Sequence, residues 1–246
     1  MGSRVRLVLV HGTLMSAAQW HGYAERLGPD VEVVAIDLPA NGARRDEEFT
    51  WEGALAVIDE AVRGTTLPVV LAGHSLGGYL AAAYAAQHPC DLAGLALLGA
   101  SATPSGPGAT AYAMLGRVQQ RLGGERLAAL TDRQWQRLLD AEWAGAVRDG
   151  GYTITGVPAA WAGVMERCGP HLLAEVTCPV LLLNGQFDQL RVHVKAYAAA
   201  AVRAERVEVV TLPRALHIFP LTRREETCNA LAAFISSLAL PELPPT

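Results

Sequence analysis

Apolar positions in the first hundred residues fall in short, almost unbroken runs, separated by longer stretches with helical spacing. Val5 to Val10 and Val31 to Ile36 are β-branched and nearly continuous in apolar character, the pattern of strands covered on both faces of a parallel sheet. Between them, Ser16 to Leu27 is expected as a helix with Ser16 as its cap. Glu52 to Arg63 predicts a second helix, Pro68 to Ala72 a strand, and the stretch from Leu76 an alanine-rich helix; Leu92 to Leu98 is the next strand, bounded by Gly99. Strands alternating with helices at this spacing predict an α/β fold with a mostly parallel, doubly wound sheet. Right-handed crossovers then put helices on both faces.

After Gly99 the alternation stops. Ser101 to Gly108 is a linker by composition, and the stretch to about residue 175 carries helical patterns at Ala109 to Arg121, Asp132 to Arg148 and Pro158 to Arg167 without a buried strand. Residues 101–175 are therefore expected as a helical insertion, a cap or lid, between core segments 1–100 and 176–240. The core resumes with the strand Pro179 to Leu183, a helix near Val192 to Val202, the strand Val207 to Leu212 and a last helix near Arg223 to Leu238. Residues 241–246, with three prolines, form a tail.

Composition narrows the function classes. With 51% hydrophobic and 18% charged residues the chain has the make-up of a soluble globular protein, and a formal net charge of −4 gives no electrostatic basis for binding nucleic acid or an anionic membrane. No stretch approaches the ~18 apolar residues of a membrane span. The apolar run that ends at His11-Gly12 is too short for the core of a signal peptide, so the cytosol is the expected compartment. Cys90, Cys168, Cys178 and Cys228 are scattered, with no C-x-x-C pair and no histidine at ligand spacing; they are expected as reduced thiols, with no metal and no cofactor implied.

The candidate chemistry is concentrated at Gly73-His74-Ser75-Leu76-Gly77-Gly78. A serine between glycines, after a buried strand and before a helix, is the setting of a strained strand-to-helix turn that exposes a nucleophilic hydroxyl. A serine needs a histidine base, and that base needs a carboxylate to hold one tautomer. Asp188, in the loop after Leu182-Leu183-Asn184, and His217, in the loop after the last strand, are the candidates. All three would reach one crevice from the carboxyl ends of three strands. Two backbone donors would serve the oxyanion: the Leu76 amide, and one from His11-Gly12-Thr13-Leu14, with Thr13 favoured over Leu14.

The rivals have plainer readings. His11 and His74 sit beside glycines and are read as structural hydrogen-bonding groups, with lining of the active site as the alternative, whereas His21 and His88 are read as surface residues. His171 and His193 are candidates to line a pocket, but neither directly follows a strand. Asp37 reads as a turn cap, Asp91 lies at the wrong end of its strand, and Gly99-Ala100-Ser101-Ala102-Thr103 offers no carboxylate.

Val-Leu-Val-His-Gly at 8–12, Ile-Asp-Leu-Pro at 36–39, the serine motif at 73–78, Leu-Leu-Asn-Gly-Gln-Phe-Asp at 182–188 and Ala-Leu-His at 215–217 together resemble the α/β-hydrolase superfamily, in its small, capped, cofactor-free branch. The resemblance implies that Ser75 is acylated, that His217 shuttles the proton, that Asp188 orients it and that 101–175 forms the lid. The chain departs from the pattern at Pro39-Ala40-Asn41-Gly42, where many relatives have Pro-Gly-His-Gly; Asn41 is expected to keep the turn by tolerating a left-handed backbone.

Tyr112, Met114, Trp135, Trp143, Trp161 and Met165 supply the insertion with apolar stripes, most of them expected in its own core. Leu14, His74, Trp135, Trp143 and Trp161 are the candidate substrate-facing residues. Apolar walls point to a moderately hydrophobic acyl or alcohol group. Arg191 and Arg214, near the Asp188 and His217 loops, are read as solvated, with a carboxylate clamp as the alternative. The expected function is hydrolysis of a small-molecule carboxylic ester, lactone or thioester, a carrier-protein-bound or CoA-bound acyl group included. The alternatives are a cofactor-free lyase, C–C hydrolase or cyclase on the same residues, and a ligand receptor with a slow triad. The sequence leaves the oligomeric state open.

Overall fold

A computed structural model describes residues 4–104, 133, 136–151 and 155–240. Six strands, β1 (Val5–Val10), β2 (Val31–Ile36), β3 (Val69–His74), β4 (Gly94–Leu98), β5 (Val180–Gly185) and β6 (Val207–Leu212), form one sheet in the order β2-β1-β3-β4-β5-β6, every neighbouring pair parallel. The helices are α1 (Tyr23–Leu27), α2 (Trp51–Arg63), α3 (Leu76–Gln87), α4 (Ala141–Gly150), α5 (Val157–Arg167), α6 (Val194–Ala200), α7 (Phe219–Thr222) and α8 (Arg224–Ser236).

The apolar runs of the central strands divide by the two-residue period of a strand. Val8 and Val10, Val69 and Leu71, Leu95 and Leu97, and Val180 and Leu182 enter a core shared with α2, α3, α5 and α6. Leu7 and Leu9, Val70 and Ala72, Ala96 and Leu98, and Leu181 and Leu183 enter a second core shared with α1, α4, α7 and α8. The sheet is thus covered on both faces. β2 is only half-buried along most of its length because it is an edge strand, where a double-sided burial was expected from its composition.

The expected helix from Ser16 to Leu27 is broken. Ser16 does cap a 3-10 turn at Ala17–Trp20, accepting from the Ala18 amide, but Gly22 takes a left-handed conformation and α1 starts afresh at Tyr23. Of the expected helix Asp132 to Arg148, α4 is the long described part; Asp140 opens it by accepting from the Trp143 amide at 3.0 Å. The expected helix Ala109 to Arg121 lies outside the described residues, as do Tyr112, Met114 and Trp135. In the Pro39–Gly42 turn the left-handed residues are Ala40, φ 66°, and Gly42, φ 53°, and Asn41 is extended. Asn41 keeps the turn by donating from its amide to the Pro39 carbonyl at 2.9 Å.

No described helix is long and apolar enough to cross a membrane. Strand order reverses between β1 and β3, and in open parallel sheets such a switch point, at the carboxyl edge, is where ligand-binding groups gather. The loops carrying Thr13 and Ser75 leave β1 and β3 there.

Candidate active site

Ser75 holds φ 53° and ψ −116°, a conformation that a residue with a side chain adopts at a cost of about 1–3 kcal/mol. The local sequence makes it attainable. A Cβ on Gly73 would strike the Gly77 carbonyl, and one on Gly77 would strike the carbonyls of Val10 and His11, so only glycines let the chain turn this sharply. The Ser75 amide donates to the Leu98 carbonyl at 2.9 Å, fixing the turn beside the end of β4. α3 then runs from Leu76, buried on nearly all sides among alanines, with its N-terminal amides directed toward the turn.

His217 and Asp188 meet across the next two strands. The His217 Nδ1 lies 2.9 Å from Asp188 Oδ1, which also accepts from the Leu190 amide at 2.8 Å. With Nδ1 donating to the carboxylate, Nε2 carries the lone pair of a base. The two loops are stitched together: the Gln186 amide donates to the Leu212 carbonyl, that of Phe187 to Ala215, and the Arg214 amide to Gln186 Oε1. Asp188 Oδ2 has no hydrogen-bonding partner among the described residues and faces Gly99. Ser75, through Leu98, and the His217–Asp188 pair, through Gly99, therefore border the same strand end.

In the turn after β1 the Gly12 amide is committed to Gln19 Oε1 at 3.0 Å and the Met15 amide to the Gly12 carbonyl at 3.3 Å, leaving those of Thr13 and Leu14 as donors. Leu14 is itself left-handed, φ 65°. Trp161 lies against this turn: its indole Nε1 donates to Thr13 Oγ1 at 3.1 Å.

His11 and His74 each hold backbone groups. The enclosed ring of His11 donates from Nδ1 to the Gly12 carbonyl at 2.8 Å and accepts the Leu38 amide at 3.1 Å, and burial lowers its pKa. His74 donates from Nε2 to the His217 carbonyl at 3.0 Å, and its ring lies 4.8 Å from that of His217. Burial first, and then the neighbouring His217, pull its pKa down to about 3. His74, a substrate-facing candidate by sequence, is instead 4% exposed and packed beneath His217 and against Phe219. Trp143 also departs from that expectation. It packs on His21, Tyr23 and Arg224 on the opposite face of the sheet from α5, because α4 docks on the 3-10 turn and α8 there. Leu14 is half-buried beside Thr13.

Asp37 is the turn residue expected, accepting the amides of Ala17 and Ala43. The sequence reading missed Gln19, which has no pattern to mark it, and Gly99, whose signal was a glycine closing a buried strand. Phe187 and Leu216, each 59% exposed, flank Asp188 and His217. Among the described residues, no group of three His, Cys, Asp or Glu side chains could hold a metal ion. Burial pushes the thiols of Cys168 and Cys178 up to about 12, which keeps them protonated and poor nucleophiles.

Residues 7–230 match the model of the alpha/beta hydrolase family. The chain is 30% identical over 254 residues to a pimeloyl-acyl-carrier-protein methyl ester esterase of Xanthomonas campestris pv. campestris, covering 97% of this chain and 98% of the relative. It is 28% identical over 197 residues to a monoacylglycerol lipase of Mycolicibacterium smegmatis, covering 75% and 70%. A solved thermophilic esterase from Thermogutta terrifontis superposes with a TM-score of 0.74 at 26% identity, covering 96% of this chain and 91% of that one. With a parallel sheet, a left-handed serine at its switch point and esterases among its relatives, the chain belongs to the alpha/beta hydrolase family and is a hydrolase of the ester-cleaving type.

Proposed function

We propose that the enzyme cleaves a carboxylic ester of a small, moderately hydrophobic acid through an acyl-enzyme on Ser75, with His217 as base, Asp188 as its orienting acid and the Thr13 and Leu76 amides as oxyanion donors. The observation that carries this reading is the 2.9 Å bond from His217 to a buried Asp188, set at the same strand end as the left-handed Ser75. Ser75 Oγ attacks the carbonyl carbon while His217 Nε2 takes its proton, and the negative charge gathers on the carbonyl oxygen between the two amides. Collapse breaks the bond to the alkoxy oxygen, which leaves with the proton from His217. Water then attacks the acyl-enzyme, giving its proton to His217, and the Ser75 oxygen departs with that proton.

The exposed Phe187 and Leu216 at the rim support an apolar acyl or alcohol portion. The names of the relatives bracket the substrate class, one esterified on a carrier-protein-bound acyl chain and one on glycerol, so carrier-bound and small free esters, thioesters included, are the substrates to screen. Residues 101–175 serve as the cap, and unpaired cysteines fit work in a reducing cytosol. The test is labelling by a fluorophosphonate followed by intact-protein mass measurement. One adduct on the wild type and none on Ser75→Ala are expected; an adduct that survives the substitution refutes the assignment.

A further inference from the structure

The oxyanion reading places one donor at the start of α3 and the other in the β1 turn, and the turn does not hold Thr13 by itself. Its own bonds, Gly12 amide to Gln19, Met15 amide to Gly12 carbonyl and His11 Nδ1 to the same carbonyl, pin residues on either side of Thr13. Leu14, next in the chain, stays left-handed, a state that persists only where the surroundings over-determine it. The side-chain bond to Thr13 comes from 148 residues away, the Trp161 indole on α5.

Trp161 is firmly placed. It is 7% exposed and meets Tyr79 of α3 edge to face, ring centres 6.2 Å apart, while the Tyr79 hydroxyl donates to the Ala102 carbonyl at 2.8 Å. α5 is also tied to α2 by Arg167 and Glu52 at 2.6 Å, and its Gly163 faces the Trp51 ring. One side chain thus packs on the helix that begins with the Leu76 amide and hydrogen-bonds the residue that carries the Thr13 amide.

We propose that Trp161 is a positioning residue that braces the two oxyanion donors at a fixed separation, with its ring on Tyr79 and its N–H on the Thr13 hydroxyl. This rests on the acyl-enzyme reading above. A fixed separation matters in the tetrahedral state, when the oxygen becomes charged and moves, and hardly at all for the bound ester.

The experiment uses p-nitrophenyl butyrate turnover and inhibition by an alkyl trifluoromethyl ketone, which forms a tetrahedral adduct on the serine. Trp161→Phe keeps the ring and deletes the donor; Thr13→Val deletes the acceptor at a half-buried position and reads the same bond should the tryptophan variant fold poorly. Each is expected to lower kcat about 10-fold with KM nearly unchanged, and to weaken the ketone by a similar factor. The double variant should be no worse than the poorer single, and Thr13→Ser should restore activity to within about twofold. Singles whose effects multiply in the double, a kcat that stays at the wild-type value, or a rise confined to KM would overturn the bracing role. Loss of that role with Ser75-dependent turnover intact leaves the acyl-enzyme reading standing. Turnover that Ser75→Ala does not reduce removes both.

Discussion

A Cβ placed on Gly99 would lie 2.7 Å from Oδ2 of Asp188, and 3.1 Å from Nδ1 of His217. Gly99, left-handed at φ 59°, lies against the His217–Asp188 pair. A side chain at position 99 would intrude on the volume that Asp188 and His217 fill. Gly99→Ala is expected to cost about 1–3 kcal/mol of stability and to lower kcat by about 10-fold or more as His217 shifts. Urea unfolding and ester kinetics read the two effects separately, and a variant equal to wild type in both would contradict the contact.

Asp188 accepts from both His217 and the Leu190 amide, so an amide in its place keeps shape and loses the acceptor that selects the His217 tautomer. Asp188→Asn is expected to lower kcat about 10⁴-fold with the fold intact, by analogy with acid-to-amide changes in serine hydrolases. Pre-steady-state acylation with a chromogenic ester is the measurement. A loss of only a few-fold would mean that the carboxylate is not the orienting group.

His74 is held neutral, its pKa lowered by burial and by His217 from 6.5 to about 3, and His11 is shifted in the same direction by burial. An unfolded chain protonates His74 below about pH 6.5 and the folded one does not, so the unfolded state binds more protons from there down to about pH 3. Stability is complete above that window and falls with decreasing pH inside it, by about 1.4 kcal/mol per pH unit for His74, with His11 acting in the same direction. His74→Gln should flatten the slope between pH 4 and 6. Urea titrations across that range test it, and an unchanged slope would locate the acid sensitivity elsewhere.

Trp143 packs beneath Arg224, whose guanidinium carbon stands 4.0 Å from the ring centre and which also pairs with Asp140. Trp143→Ala is expected to lower stability by about 3–5 kcal/mol while leaving KM for an ester within about twofold. Thermal unfolding and steady-state kinetics decide it; a large change in KM at unchanged stability would return Trp143 to the substrate wall.

The sequence by itself determined the sheet and which of its loops carry the candidate residues. Continuous apolar runs such as Val69–Ala72 can be strands only when helices cover both faces, and a serine among glycines after such a run can hold its conformation only in a sharp turn. Asp188 and His217 were legible because each follows a strand, and parallel strands deliver their loops to one edge. Side-chain partners were not legible, because they join residues far apart in the chain through volumes that no local pattern encodes. Only tertiary structure decided that His74 supports the His217 backbone, that Gly99 leaves room for Asp188, and that Trp143 and Trp161, both tryptophans on helices between β4 and β5, go to opposite faces of the sheet. Helical periodicity specifies which residues share a face, and the docking of the helix specifies what that face meets.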